Sequence, residues 1–457
     1  MASTAEDYLA GAKPLLTEAL RALAIAKPKD DNAFLANFFQ NRLARDVLPV
    51  RPAVQRYAWG KIGKRSMVAV LEANAVDPPL HIADEPYAEL WMGTHAKAPS
   101  SVVLKSGEVK PLHELLGGEL PYLFKVLSIA RCLSIQAHPH KELAAKLHKE
   151  RPLVYKDPAH KPEMACAVTE FEAMCGFRPA EEIVHYLQSV PELRAVATEA
   201  ASVAMEAAVS SGDPGAVQAA LKGLFTRVMT VEKASLQANL SSLVARLGAQ
   251  AQGQEEEKES RNLNVDLLVL RLHRQYPGDV GVFCPYLLNC FRCQPGEAVF
   301  LPPDVPHAYL SGDIIEVMAC SDNVVRAGCT PKLRDTDTLC SMLTYDCGVP
   351  DVLSGRALDA VTVLYQPPPG FPEFRVTRSV VAPGTSYSLA GTPDSPALAL
   401  VYEGQGHAET GDGRLPLRQG SVLFLPTAKR VSFTCAPGAE QLVVYRCFGG
   451  IGVIPTN

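Results

Sequence analysis

Apolar residues recur at helical spacing in the first 46 residues of the chain. One stripe places an apolar residue every three or four positions, at Leu9, Ala12, Leu16, Leu20 and Leu23. Such spacing predicts one apolar face on a helix. Lys27-Pro28 ends this helix, because proline disfavours helical backbone in the residue before it. A second predicted helix has an apolar face formed by Phe34, Leu35, Phe38, Phe39 and Leu43. Two helices this short cannot bury those aromatic side chains alone, so they need a partner surface.

The hydrophobic pattern changes at residue 47. From 47 to 180, short apolar runs such as 101–104 and 133–138 alternate with Pro, Gly and Asp, which predicts β-strands. Residues 181–261 are rich in Ala, Leu, Glu and Lys at helical spacing and predict a helical insertion. That insertion ends in the polar, acidic tract 252–257, which predicts a solvated loop. Short predicted strands return in 262–350 and again in 351–457.

An internal repeat indicates the architecture of the strand-rich parts. Gly296–Pro302 and Gly420–Pro426 share a glycine turn, an apolar strand and a proline turn in the same register. His307 stands five residues after the first proline, and Val431 stands five residues after the second. This spacing resembles the second motif of cupins, which are small jelly-roll barrels, although Asp304 replaces the usual glycine. A ligand-capable residue in only one copy predicts two barrels, one of which is active.

These patterns predict a mainly β protein with two cupin-like (jelly-roll) β-barrels. Residues 47–180 and 262–350 are assigned to a discontinuous catalytic barrel, and residues 351–457 to a degenerate C-terminal barrel. The helical insertion occupies 181–261, and an N-terminal helix pair occupies 1–46.

Composition narrows the classes of partner. The 457 residues carry 44 Lys and Arg against 49 Asp and Glu, a net charge of −5, so no basic surface predicts nucleic-acid binding. No apolar run reaches membrane-spanning length, and the N-terminus lacks a basic stretch followed by an apolar one. We therefore expect a cytoplasmic protein with no membrane partner. An anionic small substrate would need a local cluster of Lys and Arg.

The cysteines favour a reducing compartment. All twelve lie between Cys132 and Cys447, many of them in apolar runs, which is typical of small buried side chains. Cys290 and Cys293 form a lone C-x-x-C pair. Because no second pair stands at zinc-ribbon spacing, we favour a packing role for this pair over a structural metal site.

Four residues have the chemistry of a metal site. Gln136 and His138 are two positions apart in a predicted strand and therefore share one face. Glu163 follows a proline, and His307 lies in the turn after a predicted strand. Two imidazoles, one carboxylate and one amide oxygen suit Zn²⁺ and leave room for water or substrate. From the residues alone, His140 remains an alternative ligand, because it forms an H-x-H pair with His138.

Six segments resemble those of type I phosphomannose isomerases, and they occur in the order found in that family. The resemblance covers about 50–457, and the segments are 55–60, 87–95, 133–142, 160–165, 306–309 and 319–332. Small departures such as Cys329 do not touch a candidate ligand. In this family the metal ligands correspond to Gln136, His138, Glu163 and His307, and the catalytic arginine corresponds to Arg326.

The resemblance implies one Zn²⁺ per chain and an anionic sugar substrate. Ser134, Lys161, Arg326 and Lys332 are expected around the substrate, where Arg offers paired donors and Lys a compact charge for a phosphate group. Trp59 and Tyr309 are expected to line the pocket. The reaction implied is the interconversion of mannose 6-phosphate and fructose 6-phosphate, which supplies mannose and GDP-mannose metabolism.

In that reaction a proton moves between C2 and C1 of the sugar through a cis-enediol. Zinc would stabilise charge on the sugar oxygens, and Arg326 would add to that stabilisation. The base is one of four candidates, of which Glu316 is favoured over Asp322, Lys161 and His160.

The first 46 residues resemble a second family. Their pattern is similar to the dimerisation/docking helix pair of protein kinase A regulatory subunits, which dimerises and accepts an amphipathic helix from a scaffold protein. This resemblance implies a homodimer through 1–46 and tethering to a cytoskeletal or ciliary scaffold. The competing interpretation is a helix pair packed on the surface of the enzyme itself.

Two other functions compete with the isomerase. Another metal-dependent cupin enzyme, such as a dioxygenase, would need a redox metal and usually a denser histidine cluster. A catalytically silent scaffold protein could retain the same fold for binding. The intact ligand set, together with Arg326 and Lys332, argues against such decay.

Overall fold

A computed structural model describes residues 46–250, 260–392, 394–410 and 413–450, together with positions 20 and 23. Apart from positions 20, 23 and 46, the predicted helix pair at 1–46 lies outside the described residues, and so does the acidic tract 252–257. No helix in the described part is both long and apolar enough to cross a bilayer.

Strands dominate the described residues on both sides of a helical segment. Those before it are β1 (Leu48–Arg51), β2 (Ala53–Gln55), β3 (Lys61–Ile62), β4 (Pro86–Tyr87), β5 (Glu89–Met92), β6 (Ser101–Val103), β7 (Val109–Pro111), β8 (Tyr122–Ile129), β9 (Ile135–Ala137), β10 (Glu163–Ala167) and β11 (Phe171–Phe177). Those after it are β12 (Leu288–Cys293), β13 (Ala298–Leu301), β14 (His307–Ala319), β15 (Val325–Gly328), β16 (Val352–Leu353), β17 (Arg356–Ala357), β18 (Thr362–Tyr365), β19 (Arg375–Val381), β20 (Ser386–Leu389), β21 (Ala397–Glu403), β22 (Gly406–Thr410), β23 (Gly413–Leu417), β24 (Val422–Leu425), β25 (Val431–Cys435) and β26 (Leu442–Phe448).

The described residues form ten α-helices, six of which lie between β11 and β12. They are α1 (Met67–Asn74), α2 (Leu112–Leu116), α3 (Lys141–Glu150), α4 (Ala180–Ser189), α5 (Pro191–Ala197), α6 (Glu199–Ser211), α7 (Pro214–Met229), α8 (Lys233–Gln250), α9 (Val265–Gln275) and α10 (Thr336–Met342). The helical segment continues past the predicted boundary at 261, because Asn264 caps α9 by accepting a 3.1 Å hydrogen bond from the amide of Leu267.

The long strand β14 joins the two halves of the first barrel. Its beginning pairs with β9 and β11, and its second half pairs with β8 and β10. Inward-facing apolar residues from four strands, Leu127, Ala165, Phe171 and Ile314, share one buried cluster. β14 therefore carries both His307 and Glu316 on the frame of one barrel.

The C-terminal barrel borrows strands from the beginning of the chain. Its larger sheet has the order β17-β18-β19-β26-β21-β24-β1-β6-β7, and its smaller sheet the order β20-β25-β22-β23. β1 pairs with β24 in the register Leu48 to Phe424, and Leu48 and Val50 are both buried. The unit assigned to 47–180 thus contributes three strands, β1, β6 and β7, to the C-terminal barrel. The apolar side chains of β1 are buried against that barrel rather than against the strands that follow them in sequence.

The two copies of the repeat have matching backbones. Gly296 and Gly420 adopt φ angles of 91° and 88°, a conformation that favours glycine. Two residues beyond each proline, Asp304 and Ala428 have φ angles of 62° and 61°. His307 begins β14 and Val431 begins β25, so both occupy the same place in their barrels. The predicted fold class, with two cupin-like barrels and a helical insertion, is confirmed.

One apolar core lies between the barrels. Phe124, Met164 and Val317 enter it from the first barrel, and Phe374 and Phe424 enter it from the C-terminal barrel. All five side chains are buried. The C-terminal barrel is therefore packed directly against β10, the strand that begins at Glu163.

Candidate metal centre and active site

Strand pairing brings three predicted site residues into one row. Gln136 on β9 lies opposite His307 on β14 and, on its other side, opposite Arg326 on β15. Directly opposed residues of antiparallel strands project from the same face of the sheet. The strand register therefore brings together two candidate metal ligands, Gln136 and His307, and the candidate catalytic residue Arg326, each from a different strand.

Glu163, the first residue of β10, lies between the two histidines. Its Oε1 is 3.2 Å from Nε2 of His138, and its Oε2 is 3.5 Å from Nε2 of His307. One ligand atom from each residue lies within 4.8 Å of the others, and all three side chains are buried. Among the described residues, this is the one group of three or more His, Cys, Asp or Glu with that spacing.

Backbone carbonyls orient the two imidazoles toward the carboxylate. Nδ1 of His138 lies 2.6 Å from the carbonyl oxygen of Asn323, and Nδ1 of His307 lies 3.0 Å from that of Val305. In the neutral form of each ring, Nδ1 therefore carries the proton and donates, which leaves a lone pair on Nε2. Burial lowers the pKa of His138 to about 4, so its imidazole is neutral at physiological pH. Nε2 of His307 is buried without a hydrogen-bond partner.

Gln136 lies beside this group and offers it a neutral amide. The Ser134 hydroxyl donates a 2.8 Å hydrogen bond to its Oε1, and its Nε2 is 3.5 Å from Nε2 of His138. Rotating the amide by 180° directs the oxygen to the cluster, and the Ser134 hydroxyl then accepts from the amide nitrogen. Two imidazoles, one carboxylate and one amide oxygen, with an orphaned buried imidazole nitrogen, fit Zn²⁺.

The alternative ligand His140 points elsewhere. Its Nδ1 is 2.5 Å from Oδ2 of Asp304, and 46% of its side chain is exposed. Asp304 occupies the left-handed position that the usual cupin glycine would take. His140 is therefore engaged with the turn before His307 and lies outside the ligand cluster.

A lysine and a tyrosine contact the glutamate ligand. Nζ of Lys161 is 3.1 Å from Oε1 of Glu163, and the Tyr309 hydroxyl donates a 3.2 Å hydrogen bond to Oε2. Burial by itself would raise the pKa of Glu163, but Lys161 and the two histidines outweigh it and hold the pKa well below its ordinary value. Glu163 is therefore an anionic candidate ligand.

A second charged group lies in the barrel interior. Glu316 is buried, and its Oε2 is 2.8 Å from Nζ of Lys125, which is also 3.3 Å from Glu89. The Trp91 indole donates a hydrogen bond to Glu89. Burial raises the pKa of Glu316 against the opposing effect of Lys125. Tyr309 interacts with both Glu163 and Glu316 and so links this group to the ligands.

Cations gather on the side of Arg326. Nε of Arg326 is buried without a hydrogen-bond partner, and burial lowers the pKa of its guanidinium. The pKa of Lys332 is also lowered, first by partial burial and then by the positive charges of Arg326 and Lys97. Mutual repulsion of this kind marks a place where a negative ligand would be favourable.

Asp322 and Trp59 have structural partners of their own. Asp322 is 2.7 Å from Nζ of Lys97 and 3.5 Å from Nε2 of His95. The hydrogen bond from His95, followed by that from Lys97, holds the pKa of Asp322 well below its ordinary value. Trp59 stacks on Tyr57 at 5.9 Å and packs at the edge of the apolar cluster of the first barrel.

Sequence reasoning missed two cations of the site. Lys125 is the single charged residue of the fully buried strand Tyr122–Ile129, and a lone charge within an otherwise largely apolar run was a usable signal. Lys97 lies in a loop with no distinguishing pattern, so only the fold relates it to Lys332. The C-x-x-C pair, by contrast, behaves as predicted: Cys290 packs in the core of the helical segment, and Cys293 packs in the first barrel.

Comparison with known proteins identifies the family. Residues 47–180 match the family model described as phosphomannose isomerase type I, catalytic domain, and residues 196–288 match its helical insertion domain. Mannose-6-phosphate isomerase of Bos taurus is 42% identical over 88% of this chain and 99% of its own length. The Homo sapiens protein of the same name is 41% identical over 88% of this chain and 98% of its own length.

Solved structures agree with these relatives. A mannose 6-phosphate isomerase from Salmonella typhimurium, bound to its substrate fructose 6-phosphate and zinc, matches with a TM-score of 0.72 and 28% identity. The match covers 89% of this chain and 100% of that one. A zinc-bound mannose 6-phosphate isomerase gives a TM-score of 0.71 at the same identity and coverage. The chain therefore belongs to the type I phosphomannose isomerase family.

Proposed function

We propose that this chain interconverts mannose 6-phosphate and fructose 6-phosphate at the site around His138, Glu163 and His307, and so feeds mannose and GDP-mannose metabolism. Family membership supports the reaction, since relatives of matching length are mannose-6-phosphate isomerases. The observation that carries the assignment to this site is the buried Nε2 of His307, which has no hydrogen-bond partner and faces Glu163 at 3.5 Å.

One Zn²⁺ per chain would be held by Gln136, His138, Glu163 and His307. When bound there, zinc supplies Lewis-acid stabilisation of negative charge on the sugar oxygens. Lys161 and Tyr309 keep the glutamate oriented through their contacts with its two oxygens. Tyr309 and Trp59 are assigned to the lining of the pocket.

The phosphate is assigned to the cations beside the ligands. Arg326 and Lys332 repel each other in the absence of an anion, so a phosphate dianion bound between them would offset this electrostatic repulsion. Ser134 is next to Gln136 and offers a hydroxyl donor. Arg326 also stands directly opposite Gln136 in the sheet, where its free Nε can donate to a sugar oxygen that becomes negative as the enediol forms.

Glu316 is our choice for the base that moves the proton between C1 and C2. Burial raises the pKa of Glu316, and a carboxylate with a raised pKa is a stronger base than an ordinary one. The other candidates are less suited. Asp322 is paired with Lys97 and has a depressed pKa, and Nζ of Lys161 lies in an ion pair with Glu163.

A coupled assay for fructose 6-phosphate, together with metal analysis, tests this function. We expect one zinc per chain, turnover that a chelator removes and zinc restores, and a loss of about 100-fold or more in kcat for Glu316→Gln. The variant should retain its zinc, because Glu316 lies outside the ligand cluster. Iron in place of zinc would favour a cupin oxygenase instead. Absence of chelator-sensitive turnover would favour the silent scaffold protein.

We further propose that residues 1–46 form a dimerisation/docking module that binds an amphipathic helix of a cytoskeletal or ciliary scaffold protein. Support comes from the two apolar stripes separated by Lys27-Pro28. Deleting 1–46 should convert a dimer into a monomer, measured by light scattering, without reducing kcat. A deleted protein that stays dimeric would exclude this role and favour packing on the enzyme itself.

A further inference from the structure

The segment Phe371–Phe374 connects the C-terminal barrel to the active-site side of the first barrel. It precedes β19, and its Phe374 is fully buried in the core between the barrels. Phe371 packs on Phe300 of β13 with ring centroids 5.0 Å apart. Phe300 lies opposite Met164, the neighbour of Glu163. This segment is therefore anchored next to the strand that supplies a metal ligand.

Between these anchors, Glu373 binds a histidine of the first barrel. Nε2 of His160 is 2.7 Å from Oε1 of Glu373, and the two residues are 5% and 8% exposed. Phe371 stacks on the His160 ring, with centroids 6.0 Å apart and planes 17° apart. Nζ of Lys141, at the beginning of α3, is 3.6 Å from the same carboxylate oxygen. The C-terminal barrel thus holds His160 both by a charged hydrogen bond and by ring stacking.

His160 immediately precedes residues that reach the metal ligands. Lys161 follows it and contacts Glu163 at 3.1 Å, and the carbonyl of Pro162 accepts from the amide of Ala319 at the end of β14. Since an ionised carboxylate accepts hydrogen bonds only, Glu373 requires the proton of a neutral His160 to reside on Nε2. Fixing this ring and its tautomer therefore fixes the start of the segment that leads from His160 to Glu163.

The cost of burying Glu373 argues against a role in stability alone. Its Oε2 is buried without a hydrogen-bond partner, and a buried carboxylate that is only partly satisfied stabilises a fold poorly. Its cationic neighbour, Lys141, is more than half exposed. A buried apolar pair would hold the barrels together as well, but it would not determine the orientation of an imidazole.

We propose that Glu373 is a positioning residue through which the C-terminal barrel sets the orientation and tautomer of His160, and thereby the placement of Lys161 at the active site. This inference rests on the proposed isomerase function. It assigns a task to the second barrel, whose own copy of the repeat carries Val431 where the first carries His307.

Variants at 373 and 160 test the inference in the full-length, zinc-loaded protein. Glu373→Ala should lower kcat/KM about 10- to 100-fold, as is typical when a group that orients an active-site residue is lost. Glu373→Gln retains an acceptor oxygen and should recover most of that loss. The double variant Glu373→Ala/His160→Ala should be no slower than His160→Ala, because Glu373 acts through His160.

A matched control exists on the same barrel. Glu409 also lies near a histidine, with Oε1 3.3 Å from Nε2 of His407, but this pair is on an exposed hairpin. Glu409→Gln should leave kcat/KM, zinc content and the unfolding midpoint unchanged. Zinc content should likewise stay at one per chain in Glu373→Ala, since Glu373 is not a ligand.

Nitrogen-15 NMR of labelled histidines gives a readout that does not depend on turnover. The wild type should show a slowly exchanging Nε2–H on His160 that disappears in Glu373→Ala, even if the wild type had no isomerase activity. Persistence of that signal would overturn the inference. So would kcat/KM within twofold of wild type in Glu373→Ala, losses that multiply in the double variant, or a lower unfolding midpoint without recovery in Glu373→Gln.

Discussion

His307 and His140 show how two histidines that each follow a proline acquire different roles. His307 is 1% exposed, its Nδ1 is oriented by the carbonyl of Val305, and its Nε2 lacks a hydrogen-bond partner. His140 is about half exposed and is already bonded to Asp304 through Nδ1. A free lone pair inside a buried polar cluster favours metal binding, whereas a satisfied surface imidazole does not.

Replacing each histidine by alanine should therefore separate these roles. His307→Ala should lower zinc affinity by more than about 100-fold, since even the loss of an outer partner of a ligand costs roughly 10- to 100-fold. Zinc retained after gel filtration, measured by atomic spectroscopy, checks this. His140→Ala serves as the control and should retain its zinc. Loss of zinc in His140→Ala alone would reverse the assignment of the ligands.

Cysteine reactivity provides a pH-dependent test at the same scale. Burial, followed by the negative charges of Glu181 and Asp346, raises the pKa of the partly exposed Cys347 to about 11. Because the thiolate is the nucleophile, the raised pKa leaves on the order of 100-fold less of it at pH 8 than at an ordinary cysteine. Alkylation of Cys347, followed by mass spectrometry, should rise about tenfold per pH unit through pH 9.5. A plateau near pH 8.5 would contradict the raised pKa.

The site residues that could be predicted from the sequence are those marked by a short, local motif. His307 follows from the glycine–proline repeat, and Gln136 and His138 follow from strand alternation, all of which operate within a dozen residues. Choosing His138 over His140 needed either the family resemblance or the observed pairing of His140 with Asp304. Lys97 and Glu373 join the site through contacts with residues more than 200 positions away, so no local pattern could reveal them.

At the scale of elements, β15 is held in place by a close approach of two glycines. A Cβ added to Gly328 would lie 2.6 Å from the Cα of Gly281, in the helical turn Val280–Tyr286. That turn also uses the Asp279 side chain to accept hydrogen bonds from the amides of Cys329 and Thr330. The end of β15, two residues after Arg326, is therefore clamped by backbone contacts that leave no space for a side chain.

Gly328→Ala should consequently lower both stability and activity. The added methyl group must displace backbone, which costs about 1–3 kcal/mol, and moves the strand that carries Arg326. Thermal unfolding and kcat/KM in the isomerase assay check both effects. Gly223→Ala is the matched control, because Gly223 lies inside α7 with open space around it. That variant should gain about 0.5–1 kcal/mol of stability and keep full activity.

Secondary-structure elements were predicted best where a motif is repeated or where a helical hydrophobic periodicity continues over many residues. The strands of the two G-x5-P copies and the helical periodicity of 181–250 appear as expected, since each depends on local spacing. β1 was assigned to the first barrel, yet it pairs with β24, more than 370 residues away. Pairing between strands so far apart in sequence depends on the apolar surfaces that meet in the folded barrel. The local sequence around Leu48 therefore does not identify β24 as its partner.

At the scale of the whole molecule, the shared core makes the two barrels one cooperative unit. Phe424 of the C-terminal barrel is fully buried in this core beside Phe124 and Met164 of the first barrel. Phe433, by contrast, is buried in the C-terminal barrel's own interior. The two phenylalanines therefore allow the coupling between barrels to be separated from the stability of one barrel.

Phe424→Ala should destabilise the protein by about 3–5 kcal/mol, because a large cavity opens at the interface. Both tryptophans of the chain, Trp59 and Trp91, lie in the first barrel, so tryptophan fluorescence reports on that barrel while far-UV circular dichroism reports on the whole. Within a cooperative pair of barrels, the two urea midpoints should fall together in Phe424→Ala, and zinc release should follow them. Phe433→Ala supplies the comparison, since it removes the same side chain without touching the interface. If the fluorescence midpoint of Phe424→Ala stays at the wild-type value while the circular dichroism midpoint falls, the barrels unfold independently, and the C-terminal barrel could not hold His160 through the rigid contact on which Glu373 depends.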